Sequence, residues 1–383
     1  MLRAGMFALA AAGALIGATA LPGLAATTPG WRAVKVYPAM SELTGVAATA
    51  ANDAFAVGDQ ANADGTTISK PDIVSRWDGS TWLTLPQPPA TKSYAPTGGG
   101  AIVAASSKSN AWVFTQAART NSAADYTLAQ LWNGSKWVSQ SVFPAWDLIT
   151  NAVTSGPTDA WAFGLNISGP TTSYAAHWNG KAWTKVSLPL LTQDVSALSG
   201  SDIWAIGQQV KSGKLSGFVT EHYYKGTWHT LPAPSLTLPK GDGYQPTNIV
   251  AESDTNVWAA ATLSKGEGVT EGIVLLHYNG HSWTRITVPY SVTGAFTLAA
   301  DGSGGIWLSA TEYAKTSFAP YFYHYTGGKW TARIEIPHSK NVQISPAATT
   351  WIPGTKSLWS VGGELTTTTS GASAQGFILK YGA

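Results

Sequence analysis

The sequence contains no cysteine and few charged residues, and both absences narrow its possible functions. Among 383 residues only 11% are charged, against about 25% in an ordinary globular protein. Without cysteine there can be no disulfide, thiolate metal site, iron–sulfur cluster, cysteine nucleophile or lipid-modified cysteine. The formal net charge is only +2, so electrostatic binding of nucleic acid or of an anionic membrane surface is not expected.

The N-terminal segment has the layout of a secretory signal peptide. Arg3 supplies positive charge, residues 4–21 form an apolar run rich in Ala and Gly, and a Pro-Gly pair ends the run. Gly23 and Ala25 place small residues at the −3 and −1 positions of a cleavage site. An uncleaved membrane anchor is the alternative, although the run is only weakly apolar. We predict a signal peptide over residues 1–26 and a secreted, extracellular mature protein without a membrane segment.

An aromatic repeat dominates the mature chain. One copy reads DAWAFG at residues 159–164, then a polar loop, then HWNGKAW at residues 177–183. The first aromatic column consists of Phe55, Trp112, Trp161, Trp204, Trp258, Trp307 and Trp359. The last column, at intervals of 45 to 55 residues, consists of Trp82, Trp137, Trp183, Trp228, Trp283 and Trp330. A third aromatic precedes the turn in each copy, and only Trp146 and Trp351 stand outside the repeat.

Each copy predicts four short strands, with a two-residue Asn-Gly or Asp-Gly turn, both residues at positive φ, between the last two. The seventh copy stops after its third strand at Tyr381, and residues 30–38 match the missing fourth strand. We therefore predict an all-β, seven-bladed β-propeller over residues 27–383, with four antiparallel strands per blade. The last blade, shared between residues 30–38 and 347–383, is closed by the N-terminal strand, and the Trp columns fill the space between blades.

The repeated phrase, Asp-x-Trp-Ala-x-Gly followed by aromatic-Asn-Gly-x-x-Trp and Leu-Pro, resembles the propeller repeats of exported actinobacterial and related bacterial proteins. These repeats are grouped loosely with kelch and galactose-oxidase-like propellers, and the resemblance covers residues 30–383. It implies the fold and little about activity. The adjacent Gly-Gly pair of kelch repeats is missing at the matching place, and the Cys-Tyr cofactor of galactose oxidase is impossible without cysteine.

Two of the four connections in each copy are short and alike, whereas the other two are longer and differ between copies. In a propeller the two kinds emerge on opposite faces, so function is expected on the face built from unlike loops. We predict ligand-binding residues there: Trp146, Asp147, Tyr94, Asp194, Lys240, Asp242, Tyr244, Tyr290, Glu312, Tyr313, His338 and Lys340. The same loops also carry Asp59, Arg119, Asp125 and Tyr126. Trp146 is either a sugar-stacking platform or a side chain folded against the edge of a blade.

Four histidines lie six residues before a last-column Trp: His177, His222, His277 and His324. A position repeated from blade to blade is a structural column, and its members are too far apart to share one ion. Acids and amides two residues before the first column are expected to bond turn amides: Asp53, Asp159, Asp202, Asn110 and Asn256. His338 is the one histidine of the variable face and the candidate general base. No cofactor and no metal are predicted.

Three kinds of function stay open. The first is a monomeric secreted binding protein with a single ligand site on the variable face, for a glycan or another extracellular ligand. The alternative is an extracellular polysaccharide lyase or hydrolase, or a secreted small-molecule-modifying enzyme, using loop Tyr, His and acid residues near the propeller axis. Two carboxylates about 5–9.5 Å apart would favour a glycosidase. The third is a protein-interaction platform. Because no catalytic motif is present and the loops do not repeat, we expect one axial site with catalytic residues unassigned.

Overall fold

The computed structural model describes residues 30–382 apart from 62–67, 89–93, 98–99, 120–123, 170, 189, 212–213, 232–241, 266–268, 291, 315–316, 340 and 369–370. The predicted signal peptide therefore lies outside the described residues. The described residues form strands and turns without a helix, so they include no helix that could cross a lipid bilayer.

The strands form seven antiparallel sheets, which are the blades of a seven-bladed β-propeller. Blade 1 comprises β2 (Ser41–Ala50), β3 (Asp53–Ala61), β4 (Ile68–Trp77) and β5 (Trp82–Thr84). Blade 2 comprises β6 (Tyr94–Pro96), β7 (Ile102–Ser107), β8 (Asn110–Arg119), β9 (Asp125–Trp132) and β10 (Trp137–Val142). Blade 3 comprises β11 (Asp147–Gly156), β12 (Asp159–Asn166), β13 (Thr172–Trp178) and β14 (Trp183–Ser187). Blade 4 comprises β15 (Leu190–Ser199), β16 (Asp202–Lys211), β17 (Lys214–Tyr224) and β18 (Thr227–Leu231).

The remaining blades repeat the same order. Blade 5 comprises β19 (Asp242–Ser253), β20 (Asn256–Lys265), β21 (Val269–Tyr278) and β22 (Trp283–Ile286). Blade 6 comprises β23 (Val292–Ala300), β24 (Ile306–Ala314), β25 (Ser317–Thr326) and β26 (Lys329–Glu335). Blade 7 comprises β27 (Val342–Trp351), β28 (Leu358–Thr368), β29 (Gly371–Tyr381) and the N-terminal strand β1 (Trp31–Ala39). The predicted fold class is confirmed.

The N-terminal strand completes the sheet of blade 7, as predicted. β1 pairs antiparallel with β29, beginning with Trp31 opposite Tyr381. The two rings lie 5.4 Å apart between centroids, and the Arg32 guanidinium donates a hydrogen bond of 2.6 Å to the Gly382 carbonyl. β1 therefore covers the edge of β29, which would otherwise expose unpaired backbone groups.

The chain packs as two compact units, each with its own core. The first comprises Met1–Ala145, Ser317–Tyr321 and Ile334–Ala383, and the second comprises Trp146–Thr316 and Phe322–Arg333. In the first unit, Trp359 of blade 7 meets Trp82 of blade 1 edge-on, with ring centroids 5.1 Å apart. In the second unit, Trp161 of blade 3 packs 4.8 Å from Tyr223 of blade 4. Within each unit the aromatic columns thus fill the space between neighbouring blades, as predicted.

The turn before the last strand differs from the two-residue form that the Asn-Gly pairs predict. In blade 3 the last paired residues are Trp178 and Trp183, which leaves a four-residue loop. The side-chain oxygen of Asn179 accepts hydrogen bonds of 3.0 Å from the amides of Lys181 and Ala182. Only Gly180 has a positive φ, of 89°. The longer loop lets the asparagine keep an ordinary φ, because its side chain replaces a backbone acceptor.

A Trp–His–acceptor unit recurs across the blades of the second unit. In blade 4 the His222 ring stacks on Trp204 with centroids 4.0 Å apart, and Nε2 lies 2.8 Å from Asp202 Oδ1. The same arrangement holds for His177 with Asp159 and for His277 with Asn256. The histidine column is therefore structural, as predicted. Its acceptors bond these histidines, however, and not the turn amides that the sequence suggested.

Blade 6 has the same Trp–His–acceptor unit, but its acceptor does not lie two residues before the first-column Trp, where the sequence predicted it. Gly305 occupies the acceptor position, and the acceptor is Asp301, whose Oδ2 lies 2.8 Å from His324 Nε2. Asp301 Oδ1 also accepts a 2.9 Å hydrogen bond from the Gly305 amide. A Cβ on Gly305 would lie 2.4 Å from Asp301 Oδ2 and 2.5 Å from the Tyr325 carbonyl oxygen. The glycine thus makes room for a carboxylate supplied from four residues earlier.

We therefore expect Gly305→Ala to destabilise the protein. The added methyl must displace both a backbone carbonyl and a hydrogen-bonded carboxylate, at a cost of about 2–4 kcal/mol in the free energy of unfolding. Gly156→Ala is the matched control, because nothing lies within 4 Å of a Cβ at that position. Thermal unfolding should show a fall of several degrees for Gly305→Ala alone. Equal midpoints for the two variants would contradict this account of blade 6.

Candidate functional site

Two carboxylates face each other on blade 1, where its first strand begins and its second strand ends. Glu42 on β2 and Asp59 on β3 are directly paired in the antiparallel register. Directly paired residues point to the same face of a sheet, with Cβ atoms about 5 Å apart. The two carboxyl groups are therefore neighbours, and their like charges oppose simultaneous ionisation.

Glu42 carries the more weakly acidic carboxyl group of this pair. Burial, and then the negative charge of Asp59, raise the pKa of the Glu42 carboxyl to about 7. Neither a hydrogen bond nor an ion pair offsets this shift, since only burial and charge contribute to it. The backbone of Gly363 on β28 lies against the side chain, and a Cβ there would be 3.6 Å from Glu42 Cγ. Glu42 can therefore give or take a proton near neutral pH.

Asp59 is held by the neighbouring blade 2. Its Oδ2 accepts a 3.2 Å hydrogen bond from the amide of Gly100, which has a φ of 93° that favours glycine. Gly100 lies in a break in the first strand of blade 2, where β6 and β7 pair separately with β8. A backbone N–H donor favours the ionised form of a carboxyl group. Asp59 is therefore the partner that carries the negative charge.

Two tyrosines lie at the corresponding end of blade 2. Tyr94, one of the predicted ligand residues, opens β6 opposite Arg119 of β8. Its ring meets Tyr126 of β9 edge-on, with centroids 5.0 Å apart and planes at 70°. Both side chains are half-buried, so each keeps part of its ring accessible. This pair offers an aromatic surface in the same unit as Glu42 and Asp59.

Trp146 and Asp147 play different parts in blade 3. Trp146 is half-buried in a turn with a positive φ of 67°, and its carbonyl accepts a 3.0 Å hydrogen bond from the Ile167 amide. Asp147 is fully buried, forms an ion pair with Lys185, and accepts a 2.8 Å hydrogen bond from Asn166 Nδ2. The carboxylate of Asp147 therefore binds side chains of its own blade.

The structure brings together two other predicted residues, Tyr290 and Glu312, in the second unit. Arg333 binds both oxygens of Glu312, at 2.9 and 2.6 Å, and this hydrogen bonding lowers the pKa of the glutamate. Tyr323 donates a hydrogen bond to the same carboxylate, and Tyr290 stacks on Tyr323 with ring centroids 4.4 Å apart. The polar atoms of Glu312, Tyr323 and Arg333 that are named here therefore bind one another.

The other predicted residues lie apart from these groups. Asp194 Oδ2 accepts a 3.0 Å hydrogen bond from the Ile249 amide of blade 5, and Tyr244 packs 6.0 Å from the Phe218 ring. His338 Nδ1 lies 3.0 Å from the Ile336 carbonyl oxygen and 3.8 Å from Glu335. Lys240 and Lys340, and the side chains of Asp242 and Tyr313, lie outside the described residues.

Sequence reasoning named Asp59 among the loop acids and did not identify Glu42. The available signal was weak: Glu42 is a lone acid in Ser41–Ala50, a strand otherwise made of small and apolar residues. Its raised pKa arises from burial and from a register that sequence alone does not give. Among the described residues, one group could hold a metal ion, and it consists of Asp202, His222 and Asp254.

No protein-family model and no curated protein sequence matches the chain. Solved structures do match. One is an ulvan lyase of polysaccharide lyase family PL25, solved with a bound GlcA(1-4)Rha3S saccharide, at 9% identity and a TM-score of 0.55; the match covers 89% of this chain and 95% of the lyase. Another is the GH74 xyloglucanase of Xanthomonas campestris, at 12% identity and a TM-score of 0.53, with 89% of this chain and 54% of that chain covered.

A third similar structure is the β-propeller domain of the trilobed protease from Pyrococcus furiosus. It has 11% identity and a TM-score of 0.53, and the match covers 88% of this chain and 95% of that chain. At such identities the similarity establishes the fold and no activity. That domain is described as having an open velcro topology, whereas β1 closes blade 7 here.

The carboxyl pair predicts a specific dependence of stability on pH. Because the pKa of Glu42 rises from 4.5 in the unfolded chain to about 7 in the fold, the folded state binds a proton more tightly. This contribution to stability is complete below pH 4.5 and is lost as the pH rises through 7. Glu42→Gln is neutral at every pH. Its free energy of unfolding should therefore exceed the wild-type value increasingly between these limits, by up to about 3 kcal/mol.

Denaturant unfolding at a series of pH values measures this difference. Asp59→Asn serves as the second variant. Removing the facing charge should make the free energy of unfolding depend less steeply on pH, even if the lost Gly100 contact lowers stability overall. A difference between wild type and Glu42→Gln that does not change with pH would contradict the assignment of a raised pKa to Glu42.

Proposed function

We propose that the protein is an exported carbohydrate-active protein that binds a glycan and hydrolyses a glycosidic bond in it at Glu42 and Asp59. The observation that carries this proposal is the register pairing of two carboxyl groups, one of which has a pKa of about 7 and no internal partner. Paired acids whose environments separate their pKa values are the usual basis for dividing acid and base roles at glycosidase sites.

The chemistry follows from the two environments. Glu42 in its protonated form donates its proton to the glycosidic oxygen, so the leaving alcohol departs neutral. Asp59, kept ionised by the Gly100 amide, faces the sugar carbon that becomes electron-deficient. Carboxyl groups about 5–5.5 Å apart are typical of retaining enzymes, in which the carboxylate forms a glycosyl intermediate. Water deprotonated by Glu42 then releases the sugar and restores both groups.

Substrate binding is assigned to Tyr94 and Tyr126. A sugar ring presents an apolar C–H face that packs against an aromatic ring, and this contact needs no charge on either partner. The low charge of the chain and the two accessible tyrosine rings support a mainly neutral glycan. The similar folds of a polysaccharide lyase and a xyloglucanase add support, since both of those proteins act on polysaccharides.

Glycan binding without cleavage is the second candidate. The tyrosine pair of blade 2 favours it, because an aromatic surface binds sugar whether or not an acid pair lies nearby. In this case Glu42 and Asp59 would act as hydrogen-bonding groups for sugar hydroxyls.

The test is a panel of neutral and acidic polysaccharides, with new reducing ends and unsaturated products measured separately. Hydrolysis produces reducing ends alone, whereas a lyase also produces ultraviolet absorbance from the unsaturated sugar. On a substrate cleaved by the wild type, Glu42→Gln should lower kcat by about 10²–10⁴-fold with little change in KM. Glu335→Gln, at a half-exposed acid outside this site, is the control and should keep wild-type activity.

Each other outcome separates the candidates. Binding of a glycan by calorimetry with no cleavage, weakened by Tyr126→Ala, supports a binding protein and removes the catalytic assignment. Cleavage that survives in both Glu42→Gln and Asp59→Asn would place the chemistry at another group.

Export is tested independently of activity. The apolar N-terminal run and the small residues before Ala26 support cleavage by a signal peptidase. N-terminal sequencing of protein recovered from the medium should therefore begin at or near Ala26. Protein that retains Met1 and stays with the cells would contradict this part of the proposal.

A further inference from the structure

The His222–Asp202 pair of blade 4 is unusual because a second carboxylate approaches it. Nε2 of His222 lies 2.8 Å from Asp202 Oδ1 and 3.6 Å from Asp254 Oδ1. The three candidate ligand atoms all lie within 4.8 Å of one another. Asp254 comes from the turn between β19 and β20 of blade 5, so the group joins two neighbouring blades of the second unit.

Blade 3 provides a matched comparison within the same chain. Its His177 and Asp159 have the same 2.8 Å contact, and the turn that approaches them is that between β15 and β16. There the residue equivalent to Asp254 is Gly200, since each directly follows the last paired residue of the first strand. A Cβ on Gly200 would lie only 1.6 Å from Asp159 Oδ2. Gly200 thus fits against the Asp159–His177 pair of blade 3, whereas the Asp202–His222 pair of blade 4 is approached by Asp254.

The aspartate in this position places a second carboxylate beside the Asp202–His222 pair. Two like charges at short range repel each other, and a single imidazole can offset at most one of them. A divalent cation would offset both carboxylates and would use the lone pair of neutral His222 as a third ligand.

The spacing fits a transition-metal ion with nitrogen and oxygen ligands. Zn²⁺ binds such atoms at about 2.0–2.2 Å, which places the ligand atoms of a tetrahedral site about 3.5 Å apart. The 3.6 Å between His222 Nε2 and Asp254 Oδ1 already has this value. The His222–Asp202 contact would lengthen from 2.8 Å as coordination to the ion replaces the hydrogen bond.

The surroundings hold the histidine and provide an outer partner for Asp254. The His222 ring is stacked on Trp204 at an angle of 19°, which fixes its orientation. The indole N–H of Trp204 is buried and interacts with the Asp254 carboxyl group. Such outer-shell donors orient ligating carboxylates. The Asp254 side chain is 62% exposed, so an ion can enter from solvent.

We propose that Asp202, His222 and Asp254 form a divalent transition-metal site, best matched to Zn²⁺, that ties blade 4 to blade 5. Three protein ligands leave a fourth position for water. Because the ion binds two turns that belong to different blades, its effect is to stabilise their contact in the folded state. The site shares no residue with Glu42 and Asp59 and does not depend on the proposed glycan chemistry.

The test titrates Zn²⁺ into metal-free full-length protein, followed by calorimetry and thermal unfolding, with Co²⁺ as a spectroscopic probe. We expect one ion per chain, a rise in Tm of several degrees, and visible absorption bands of Co²⁺ typical of a four-coordinate site. Asp254→Gly introduces the residue that stands at the equivalent turn position, Gly200, and should weaken binding of Zn²⁺ at least 10-fold. Without metal, this variant should be at least as stable as the wild type.

His177→Gln is the matched control, because its histidine pairs with a single carboxylate. Binding that is lost in Asp254→Gly and kept in His177→Gln supports the proposal. The absence of any Zn²⁺-dependent heat or Tm change in the wild type would overturn it. Equal binding by the wild type and Asp254→Gly would also overturn it, because the ion would then belong to another group, such as one containing His229 or His281.

Discussion

The stacking of a histidine on a tryptophan, with the histidine hydrogen-bonded to an acid or amide, organises the blades of the second unit. The tryptophan fills the space towards the next blade, the histidine covers its face, and the acceptor fixes the adjoining turn. In two blades without the histidine, a basic residue takes the position paired with the aromatic. Arg76 pairs with Phe55 in blade 1 and contacts Asp53, and Lys380 pairs with Trp359 in blade 7 and lies over its ring. Aromatic packing and polar satisfaction are thus combined in one set of residues.

This arrangement uses four of the acids whose contacts are described, and each of the four has a basic partner. In a chain with only 21 acidic residues, Asp53, Asp159, Asp202 and Asp301 each bind a basic side chain of their own blade. Glu42 has no such partner, and burial together with the charge of Asp59 raises the pKa of its carboxyl group to about 7. The absence of a basic partner therefore separates Glu42 from these four structural acids.

Repetition explains what could be predicted from the sequence. The aromatic columns recur in every copy and so give the number of blades, and residues 30–38 match the pattern of the missing fourth strand. These features could therefore be predicted without coordinates. Asp301 could not be predicted because a longer turn places the acceptor four residues before Gly305, which occupies the repeated acceptor position. The contact with His324 is nevertheless the same as in the other blades. Glu42 escaped because a single acid in one strand repeats nowhere, and its chemistry depends on the facing Asp59 and on burial. Among the loop residues chosen from variability, Asp147, Asp194 and Glu312 bind other groups of their own units.

Pairing between β1 and β29 has a consequence for how the molecule is made. During synthesis β1 must wait, unpaired, for a partner strand that is translated some 350 residues later. Among the described sheets, blade 7 therefore has the largest sequence separation between neighbouring strands, and its completion requires the longest loop closure. Until β29 has been synthesised, the sheet of blade 7 cannot form, and β1 lacks the strand that covers its edge in the fold.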